Sequence, residues 1–431
     1  MAELQDQQAR DRIERDALDC NMVVLAGAGA GKTHALVERM VNYVRLVSPQ
    51  IDRVAAITFT RKAAGEMRGR FLLRLQERLA EAGGEEAERL QQALDRVDQC
   101  FIGTIHSFCG QLLRERPIEA GIRPDFTELD QREETRLSRQ AWNAFVQQCF
   151  ETNDPRPEAL EGLGLRLDDL HTFFDGRGQF SDLALKDLPV EKPDLEGAVG
   201  QARRFMEEVA SHLPETLPEG PDGFIEVFER AQRFLAHSNV ASDRQRAALL
   251  NILHGLEKKS VTLKRWAPNQ AFAKALRDEK RAAFIEQVTR PVLTQWRQYV
   301  YAHVVPFIND AVAFYDQKRL STGGMTFQDL LLRAKDLLRD HPPVRRYFQA
   351  RYRTLFVDEF QDTDPIQAEL LLYLTGEDTE ERDWLQLDPK PGSLFIVGDE
   401  KQSIYRFRRA DVETFRLVGQ RLQSTGGLSS S

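Results

Sequence analysis

Cysteine is scarce in this sequence, with only four among 431 residues. They are Cys20, Cys100, Cys109 and Cys149, and no pair has the CxxC spacing of zinc and thiol redox sites. The sequence therefore argues against a cysteine-based metal or redox centre. We expect four free thiols in a reducing compartment.

Long apolar segments are also missing. No run approaches the roughly 20 residues needed to cross a bilayer. The apolar stretch 22–30 follows a polar, acidic start and runs into glycines and a lysine, which is unlike a signal peptide. We expect a cytoplasmic protein that makes no membrane contact.

An excess of positive charge is the third absence. The chain has 59 Lys and Arg against 67 Asp and Glu, a formal net charge of −8 at pH 7. This balance excludes a uniformly basic coat for nucleic acid. It leaves open a local basic groove, which is what nucleic-acid binding requires.

Short apolar strands alternate with helical patterns near both ends of the chain, and this alternation predicts an α/β fold with a parallel sheet. The predicted strands are 22–26, 54–59, 101–105, 354–357 and 394–397, and the predicted helices include 33–44, 62–80, 365–374 and 412–422. A chain of 431 residues is long enough for two or three domains.

The middle of the chain, residues 116–324, is helical and charged. It contains a long helical pattern at 284–320, which Pro291 and Pro306 are expected to break or kink. Its expected packing residues are Trp296, Tyr299, Val304, Phe307, Val312 and Phe314. We therefore expect one α/β domain, formed by 1–115 and 325–431, that a mostly α-helical insertion at 116–324 interrupts, with a hinge near 321–324.

A glycine-rich turn follows the first predicted strand and opens a helix. The turn consists of Ala26, Gly27, Ala28, Gly29, Ala30, Gly31, Lys32 and Thr33. Glycines let backbone N–H groups curl around phosphate oxygens, and the helix N-terminus adds the positive end of its dipole. Lys32 would reach the β- and γ-phosphates, and Thr33 would ligate Mg²⁺. Ala26 departs from the strict pattern, which has glycine there.

This phosphate loop predicts a polyphosphate site without naming a reaction, because kinases, GTPases, transporters and motors all use one. The second part of the site is an Asp-Glu pair at the end of the apolar strand 354–357, where α/β sheets bind ligands. Asp358 suits Mg²⁺ coordination, and Glu359 suits a base that activates the attacking water. The glutamate favours hydrolysis over transfer to a bound substrate.

A third polar segment follows the strand at 394–397. Gln402 could contact the γ-phosphate, while Tyr405 and Phe407 could stack on bases and Arg408 is one of three nearby arginines. Such a segment would connect the nucleotide state to the grip on DNA. An ordinary basic loop with core aromatics is the alternative reading of the segment taken alone.

Five motifs occur in an order that resembles UvrD/Rep-type superfamily 1A DNA helicases. They lie at 26–33, 58–64, 103–107, 357–363 and 397–410. The segments 325–330 and 407–411 look most like the RecB/AddA branch, the exonuclease V type. The resemblance implies a RecA-like P-loop domain, ATP and Mg²⁺ as cofactors, and an ATP-driven motor on single-stranded or 3′-tailed DNA, moving 3′→5′ in repair or recombination, with a RecC/AddB-like partner subunit.

The resemblance also assigns residues. Gln8 matches the adenine-reading glutamine, although Gln7 beside it leaves the register open, and His34 stands where many members carry an arginine near the nucleotide. Lys32, Glu359 and Gln402 take the catalytic positions. The implied DNA contacts are Thr58, Phe59, Thr60, Lys62, Thr104, His106, Ser107, Tyr405, Phe407 and Arg408. For Phe59, a core aromatic at the end of a strand remains the alternative.

The family pattern continues past the last motif of this chain, with a second RecA-like domain that supplies further arginines. We therefore expect the 431-residue chain to lack that domain and any nuclease domain, and to bind ATP and single-stranded DNA without unwinding. A nucleotide- and DNA-binding module without competent catalysis is the alternative. A small-molecule P-loop kinase fits less well, because the DNA motifs occur in order.

Overall fold

The structure is a computed structural model, and it describes residues 11–27, 31–178, 190–217, 219–399, 412–424 and 428–430. The chain divides into two compact units. One combines Met1–Asp130 with Thr322–Ser431, and the other is Gln131–Ser321. The described part is mostly helical and contains a parallel sheet. The domain boundaries inferred from the sequence stay a prediction.

Eight short strands occur in the described part of the first unit. In chain order they are β1 (Met22–Leu25), β2 (Val54–Thr58), β3 (Phe101–Thr104), β4 (Thr127–Glu128), β5 (Gly324–Met325), β6 (Thr354–Val357), β7 (Leu394–Gly398) and β8 (Leu428–Ser430). Six of them form a parallel sheet in the order β3-β2-β6-β7-β1-β8, and β4 pairs with β5 separately. The sequence predicted five of the six strands of this sheet and missed β8, which lies in the serine-rich tail.

Parallel register brings the carboxyl ends of the strands to one edge of the sheet. Leu25 is opposite Gly398, Ile57 is opposite Val357, and Thr58 is opposite Thr104. The residues that follow β1, β2, β3, β6 and β7 therefore share this edge. It is the edge at which open α/β sheets bind ligands.

Seventeen α-helices occur in the described residues. In chain order they are α1 (Lys32–Leu46), α2 (Arg61–Glu81), α3 (Gly84–Asp95), α4 (Ile105–Glu115), α5 (Gln131–Glu151), α6 (Arg156–Gly162), α7 (Leu167–Gly178), α8 (Leu195–Ala210), α9 (Gly223–His237), α10 (Asp243–His254), α11 (Gln270–Ala275), α12 (Arg281–Phe284), α13 (Arg290–Ser321), α14 (Phe327–Asp340), α15 (Pro342–Arg351), α16 (Pro365–Thr375) and α17 (Val412–Ser424).

Both faces of the six-stranded sheet are covered, because successive strand side chains point to opposite sides. Met22 and Val24 pack into a core with α1, α2 and α3. Val23 packs into a second core, with α4 and α14 to α17. Most residues of β1, β2, β6 and β7 are apolar for this reason, and the sheet edge is left as the place where polar residues can meet.

The unit Gln131–Ser321 is helical and has two apolar cores of its own. Its longest helix, α13, runs through Pro306 without ending, so of the break or kink expected from the sequence, the break is absent there. Pro291 is the second residue of α13, a position at which proline is tolerated, and α13 follows a π-helical segment, Ile285–Thr289. The expected packing residues Trp296, Val304, Phe307 and Val312 are buried, while Tyr299 and Phe314 are partly buried.

The four cysteines are free, as expected from their spacing. No helix in the described ranges is both long enough and apolar enough to span a bilayer.

Arg39 in α1 holds the segment that precedes β1 through hydrogen bonds to its backbone carbonyls. Its side chain is buried and donates to the carbonyl oxygens of Ile13 at 2.7 Å and Cys20 at 3.2 Å, and also to that of Ala17. Its guanidinium lies 4.7 Å from the centre of the Phe395 ring. Burial lowers the pKa of Arg39 to about 10, so it still carries its charge at pH 7. The chain that leads into the phosphate loop is thus held against the loop's own helix.

Replacing Arg39 with methionine should destabilise the protein by about 2–4 kcal/mol, because each buried carbonyl left without a donor costs roughly 1–3 kcal/mol. Urea unfolding measures the change. Arg70→Met, at an exposed position of α2, is the matched control and should stay within about 0.5 kcal/mol of the parent. Equal effects of the two substitutions would contradict the role given to Arg39.

Candidate functional site

The phosphate loop lies between β1 and α1 at the ligand-binding edge of the sheet. The N–H of Ala26 donates to the carbonyl of Gly398 at 3.1 Å, which ties the start of the loop to β7. Gly31 precedes α1 with φ of 81°, a left-handed conformation in which a side chain would be strained. Gly27 and His34 are exposed. Ala28, Gly29 and Ala30 lie outside the described residues.

The first turn of α1 contacts the Asp-Glu pair that follows β6. Lys32 Nζ lies 3.4 Å from Glu359 Oε2. The Thr33 hydroxyl donates to Asp358 Oδ2 at 3.0 Å. These two contacts join residues that are more than 300 positions apart in the sequence. The residues are close in space because only β7 lies between β1 and β6 in the sheet.

Backbone geometry sets the direction of the two carboxylates. The N–H of Asp358 donates to the carbonyl of Ile57 at 2.9 Å, so Asp358 continues the pairing of β6 with β2. Glu359 then turns into the left-handed region, with φ of 57° and ψ of 41°. A non-glycine residue in this conformation stores strain, which concentrates at functional sites. Because of this turn, the carboxyl group of Asp358 contacts Thr33 while that of Glu359 contacts Lys32.

Asp358 is 5% exposed, and burial together with the neighbouring Glu359 raises its pKa. The hydrogen bond from Thr33 and the charge of Lys32 oppose this shift. Two adjacent carboxylates with one lysine leave negative charge that a bound cation would offset. The donors that converge here, a hydroxyl and a carboxylate, are oxygen ligands of the kind that Mg²⁺ prefers.

Asp362 adds a third carboxyl group to this site. Its Oδ1 atom is buried and has no hydrogen-bond partner among the residues that the structure describes. Burial and the charge of Glu359 raise its pKa to about 6, against a smaller opposing effect of Lys32. The ionised form of Asp362 is therefore destabilised in the folded protein.

Asp362→Asn should stabilise the nucleotide-free protein near pH 7.5 and should lose this advantage near pH 4.5. A raised pKa means that the folded state binds the proton more tightly than the unfolded state, so stability falls as pH rises from about 4 to the folded value of about 6. Melting temperatures from pH 4.5 to 8 measure the difference. Asp98→Asn, at an exposed position, is the control, and a pH-independent gain at Asp362 would contradict the assignment.

Gln361 is a site residue that the sequence did not single out. Its side-chain N–H donates to Glu359 Oε2 at 2.5 Å, and its carbonyl oxygen accepts from the N–H of Asp399 at 2.9 Å. It is 2% exposed. A side chain at Gly398 would approach Gln361 Oε1 to 2.8 Å, so glycine is needed there. Gln361 thus connects Glu359 to the end of β7. The sequence feature that could have identified it is its position two residues after Glu359.

The strand end after β2 carries the first group of residues expected at DNA. Phe59 is half-buried, and Thr60 is exposed and accepts from the N–H of Ala63 at 3.1 Å, which caps α2. Lys62 points into solvent with 87% of its side chain exposed. Thr58 is only 2% exposed, so the direct contact expected from the sequence is not available to its side chain.

The strand end after β3 carries the second group. The Thr104 hydroxyl accepts from the N–H of Ser107 at 3.2 Å, and the Ser107 hydroxyl donates to the Thr104 carbonyl at 2.8 Å. The Thr104 hydroxyl thereby caps α4. Burial lowers the pKa of His106 to about 4; the charge of Arg61 lowers it further and the charge of Glu128 opposes the shift, so the ring is neutral at pH 7.

An aromatic pair lies beside these strand ends. The rings of His106 and Phe327 are 5.2 Å apart, and Phe327 is 41% exposed at the start of α14. Thr326 and Asp329 form a capping box that fixes this helix start. The segment 325–330 was recognised from the sequence, but Phe327 received no role. The sequence feature that could have identified Phe327 is an aromatic residue directly after a threonine able to cap a helix.

The remaining sequence candidates have no described position. Gln8, Gln402, Tyr405, Phe407 and Arg408 lie outside the described residues.

Comparison with known proteins identifies relatives of the whole chain. The family model described as UvrD/REP helicase N-terminal domain matches residues 6–423. The A subunit of an ATP-dependent helicase/nuclease from Syntrophomonas wolfei is 29% identical over 437 residues, which cover 93% of this chain and 34% of that protein. The protein of the same name from Alkaliphilus metalliredigens is 27% identical over 93% of this chain and 35% of its own length. The chain thus spans about a third of these relatives.

Proposed function

The chain belongs to the UvrD/REP helicase N-terminal domain family, and from this membership we propose that it is the ATP-binding part of a DNA helicase motor. The proposal includes a RecA-like P-loop domain that the helical segment 116–324 interrupts. ATP is the nucleotide that the family uses, and Mg²⁺ is the accompanying cation. The single observation that carries the proposal is the pairing of Lys32 with Glu359 and of Thr33 with Asp358.

Each of these four residues has a distinct part in ATP hydrolysis. Lys32 leaves Glu359 to bind the β- and γ-phosphates, where a flexible cation is suited to a polyphosphate. Thr33 and Asp358 would hold Mg²⁺, which would neutralise charge on the phosphates. Glu359, freed from the lysine, accepts a proton from the water that attacks the γ-phosphorus. Gln361 keeps the Glu359 carboxylate in place through its hydrogen bond.

Single-stranded DNA would pass along the same edge of the sheet. Phe59 and Phe327 offer ring faces, which bind bases of any sequence with roughly 1–3 kcal/mol for each stacked base. Lys62, the exposed second residue of α2, supplies positive charge for the DNA backbone in a chain whose net charge is −8. His106 supports Phe327 from the side. Tyr405, Phe407 and Arg408 complete the proposed contacts by their motif.

The wider setting is proposed from the relatives' names and from the resemblance of the motifs to the RecB/AddA branch. They belong to ATP-dependent helicase/nucleases that are named by their subunits, so we propose that this chain likewise works with a partner protein on 3′-tailed DNA, in repair or recombination, with 3′→5′ travel.

A direct test is binding of a fluorescent ATP analogue with Mg²⁺ and of a fluorescent oligo(dT) by the 431-residue chain. Saturable binding of both is the expected result. ATP turnover should rise when oligo(dT) is added. If the chain binds oligo(dT) but not the ATP analogue, only the alternative of a DNA-binding module would remain. If it binds the analogue but not oligo(dT), the motor assignment would be wrong.

A further inference from the structure

A cleft lies at the amino ends of β6 and β7, at the edge of the sheet opposite to the phosphate loop. Its volume is about 550 Å³. Arg353 directly precedes β6, and Ser393 directly precedes β7. Each of these strands is at least about 13 Å long, since a strand rises roughly 3.3 Å per residue. The cleft is therefore a different place from the proposed ATP site. It is lined by Arg346, Gln349, Ala350, Arg353, Glu377, Thr379, Lys390, Pro391 and Ser393.

Positive charge dominates the lining of this cleft, which we call the cation cleft. Its cationic side chains are Arg346, Arg353 and Lys390, and Glu377 is the one carboxylate among the residues that line it. Arg346 is paired with Glu380 at 2.8 Å. Within the described part of the chain, Lys390 Nζ contacts an amide oxygen and no carboxylate, and the exposed side chain of Arg353 likewise forms no ion pair. The cation cleft therefore has two positive charges that lack a counter-charge from the described residues.

Lys390 is held in place through both its side chain and its backbone. Its Nζ atom donates to Gln349 Oε1 at 2.6 Å. Gln349 is buried, and its side-chain N–H groups donate to the carbonyls of Tyr373 at 2.8 Å and Gly376 at 2.9 Å, which fixes the direction of its oxygen. The backbone N–H of Lys390 donates to the carbonyl of Thr375 at 2.8 Å. Because an ammonium group has three N–H donors, two remain for a ligand in the cation cleft.

This arrangement is unfavourable for a lysine unless an anion joins it. Burial disfavours the charged form of an ammonium group, and here burial lowers the pKa of Lys390, an effect that Glu377 opposes and Arg345 increases. The amide oxygen of Gln349 offsets part of this effect. A bound anion would offset more, since hydrogen bonds that involve charged groups are about twice as strong as neutral ones. Arg353 adds a guanidinium whose planar donors match the oxygens of phosphate.

We propose that the cation cleft binds a phosphate group, with Lys390 and Arg353 as its ligands. A tetrahedral phosphate presents oxygens in several directions, which suits two cations that come from different segments of the chain. The phosphate can belong to the backbone of DNA or to a free polyphosphate such as pyrophosphate, because both present the same oxygens. The volume of the cleft admits either, since pockets of roughly 300–1,000 Å³ hold small ligands. The site is separate from the phosphate loop, so it does not depend on the proposed ATP site.

The test measures how fast Lys390 is acylated by an amine-reactive reagent in the 431-residue chain, because a bound phosphate shields the ammonium group. Mass spectrometry of a proteolytic digest follows each lysine separately. Acylation rates are compared without ligand, with a concentration series of pyrophosphate and with a concentration series of oligo(dT). Lys274, which is exposed and lies outside the cation cleft, is the control. Lys32 reports on the phosphate loop in the same samples.

We expect at least one ligand to slow the acylation of Lys390 by about fivefold or more at high concentration, while Lys274 changes by less than about twofold. Slowing by oligo(dT) alone identifies the DNA backbone as the source of the phosphate, and slowing by pyrophosphate alone identifies a free polyphosphate. Slowing by both supports a site open to either. Unchanged rates at Lys390 with both ligands would overturn the inference. Slowing at Lys32 alone would support the phosphate loop and still overturn the cation cleft.

A pair of arginine variants tests the second ligand. Arg353→Gln should lower the affinity measured through Lys390 by about tenfold or more, since it removes a charged hydrogen bond to the phosphate. Arg351→Gln is the matched control, because Arg351 is paired with Glu115 at 2.9 Å and does not line the cleft. It should retain the parent's affinity. Thermal unfolding confirms that both variants are folded, and the parent's ligand series decides the question alone if one is not. Equal losses in the two variants, or no loss in either, would contradict the assignment.

Discussion

Lys32→Ala should lower the affinity for ATP with Mg²⁺ by roughly tenfold to a hundredfold. Lys32 is the cation of the phosphate loop and opens α1, and its side chain is 9% exposed beside Glu359. A hydrogen bond to a charged group contributes about 1.5–3 kcal/mol, which converts to this range. Without the lysine, the phosphates would also meet the unopposed carboxylates of Asp358 and Glu359. Titration with a fluorescent ATP analogue measures the loss.

Lys62→Ala is the matched control for this substitution. It removes the same charge at a position 87% exposed, four residues before Glu66 and away from the phosphate loop. It should leave nucleotide affinity within about twofold and should weaken oligo(dT) binding, more at low salt than at high salt. If Lys32→Ala binds ATP as tightly as the parent, the phosphate-binding role of the loop is wrong.

Glu359→Gln should lower the rate of ATP hydrolysis by about 10²–10⁴-fold, the usual contribution of a positioned general base. The substitution is nearly isosteric and keeps a side chain that can pair with Gln361. It removes the group that accepts the proton from water. Nucleotide affinity should be unchanged or higher, because one negative charge disappears beside the phosphates. Phosphate release under single-turnover conditions with saturating oligo(dT) measures the rate, and a binding titration measures the affinity.

Glu66→Gln controls for the loss of a carboxylate in general, because Glu66 lies on α2 with about half of its side chain exposed. Its hydrolysis rate should equal that of the parent. A Glu359→Gln variant that hydrolyses ATP normally would remove Glu359 as the base. A variant that loses nucleotide binding as well would show that Glu359 maintains the site's shape, which its left-handed backbone makes a separate possibility.

The sheet could be predicted because parallel strands buried on both faces have a distinctive composition. The runs at 22–26, 54–59, 354–357 and 394–397 are almost entirely apolar, and glycine or an acidic residue follows all of them except 54–59. These patterns report local burial and do not depend on distant contacts. The three-residue strand β8 has no such run, since it is an edge strand in a serine-rich tail.

The chemistry of Lys32, Thr33, Asp358 and Glu359 could also be anticipated, because each residue type suits one part of nucleotide binding. The partners of neighbouring residues could not. Gln361 and Thr58 are polar residues within the motifs 357–363 and 58–64, and only the packing decides that Gln361 bridges Glu359 to Asp399 while the Thr58 hydroxyl is buried without a partner among the described residues. Side-chain direction at a strand end depends on the next strand, which is remote in sequence.

The sequence predicted that the middle of the chain is helical, but it did not predict that α13 continues through Pro306. Pro306 argued for an interruption, since proline removes one hydrogen bond from a helix. In the structure α13 continues through it, with Val305, Phe307 and Ile308 buried around it. Tertiary packing on both sides of the proline outweighs the local cost.

The pairing of β4 with β5 bears on how this protein can be dissected. The chain enters the helical unit just after Glu128 and returns just before Gly324, and these two strands lie side by side in parallel register. Two adjacent parallel strands can be joined by a crossover of about a dozen residues. Among the described residues, none that is buried in the two cores enclosing the sheet lies between 131 and 321. Excising that segment and closing the gap with a short glycine- and serine-rich crossover would therefore leave the sheet and its nucleotide edge intact as an independent miniature domain.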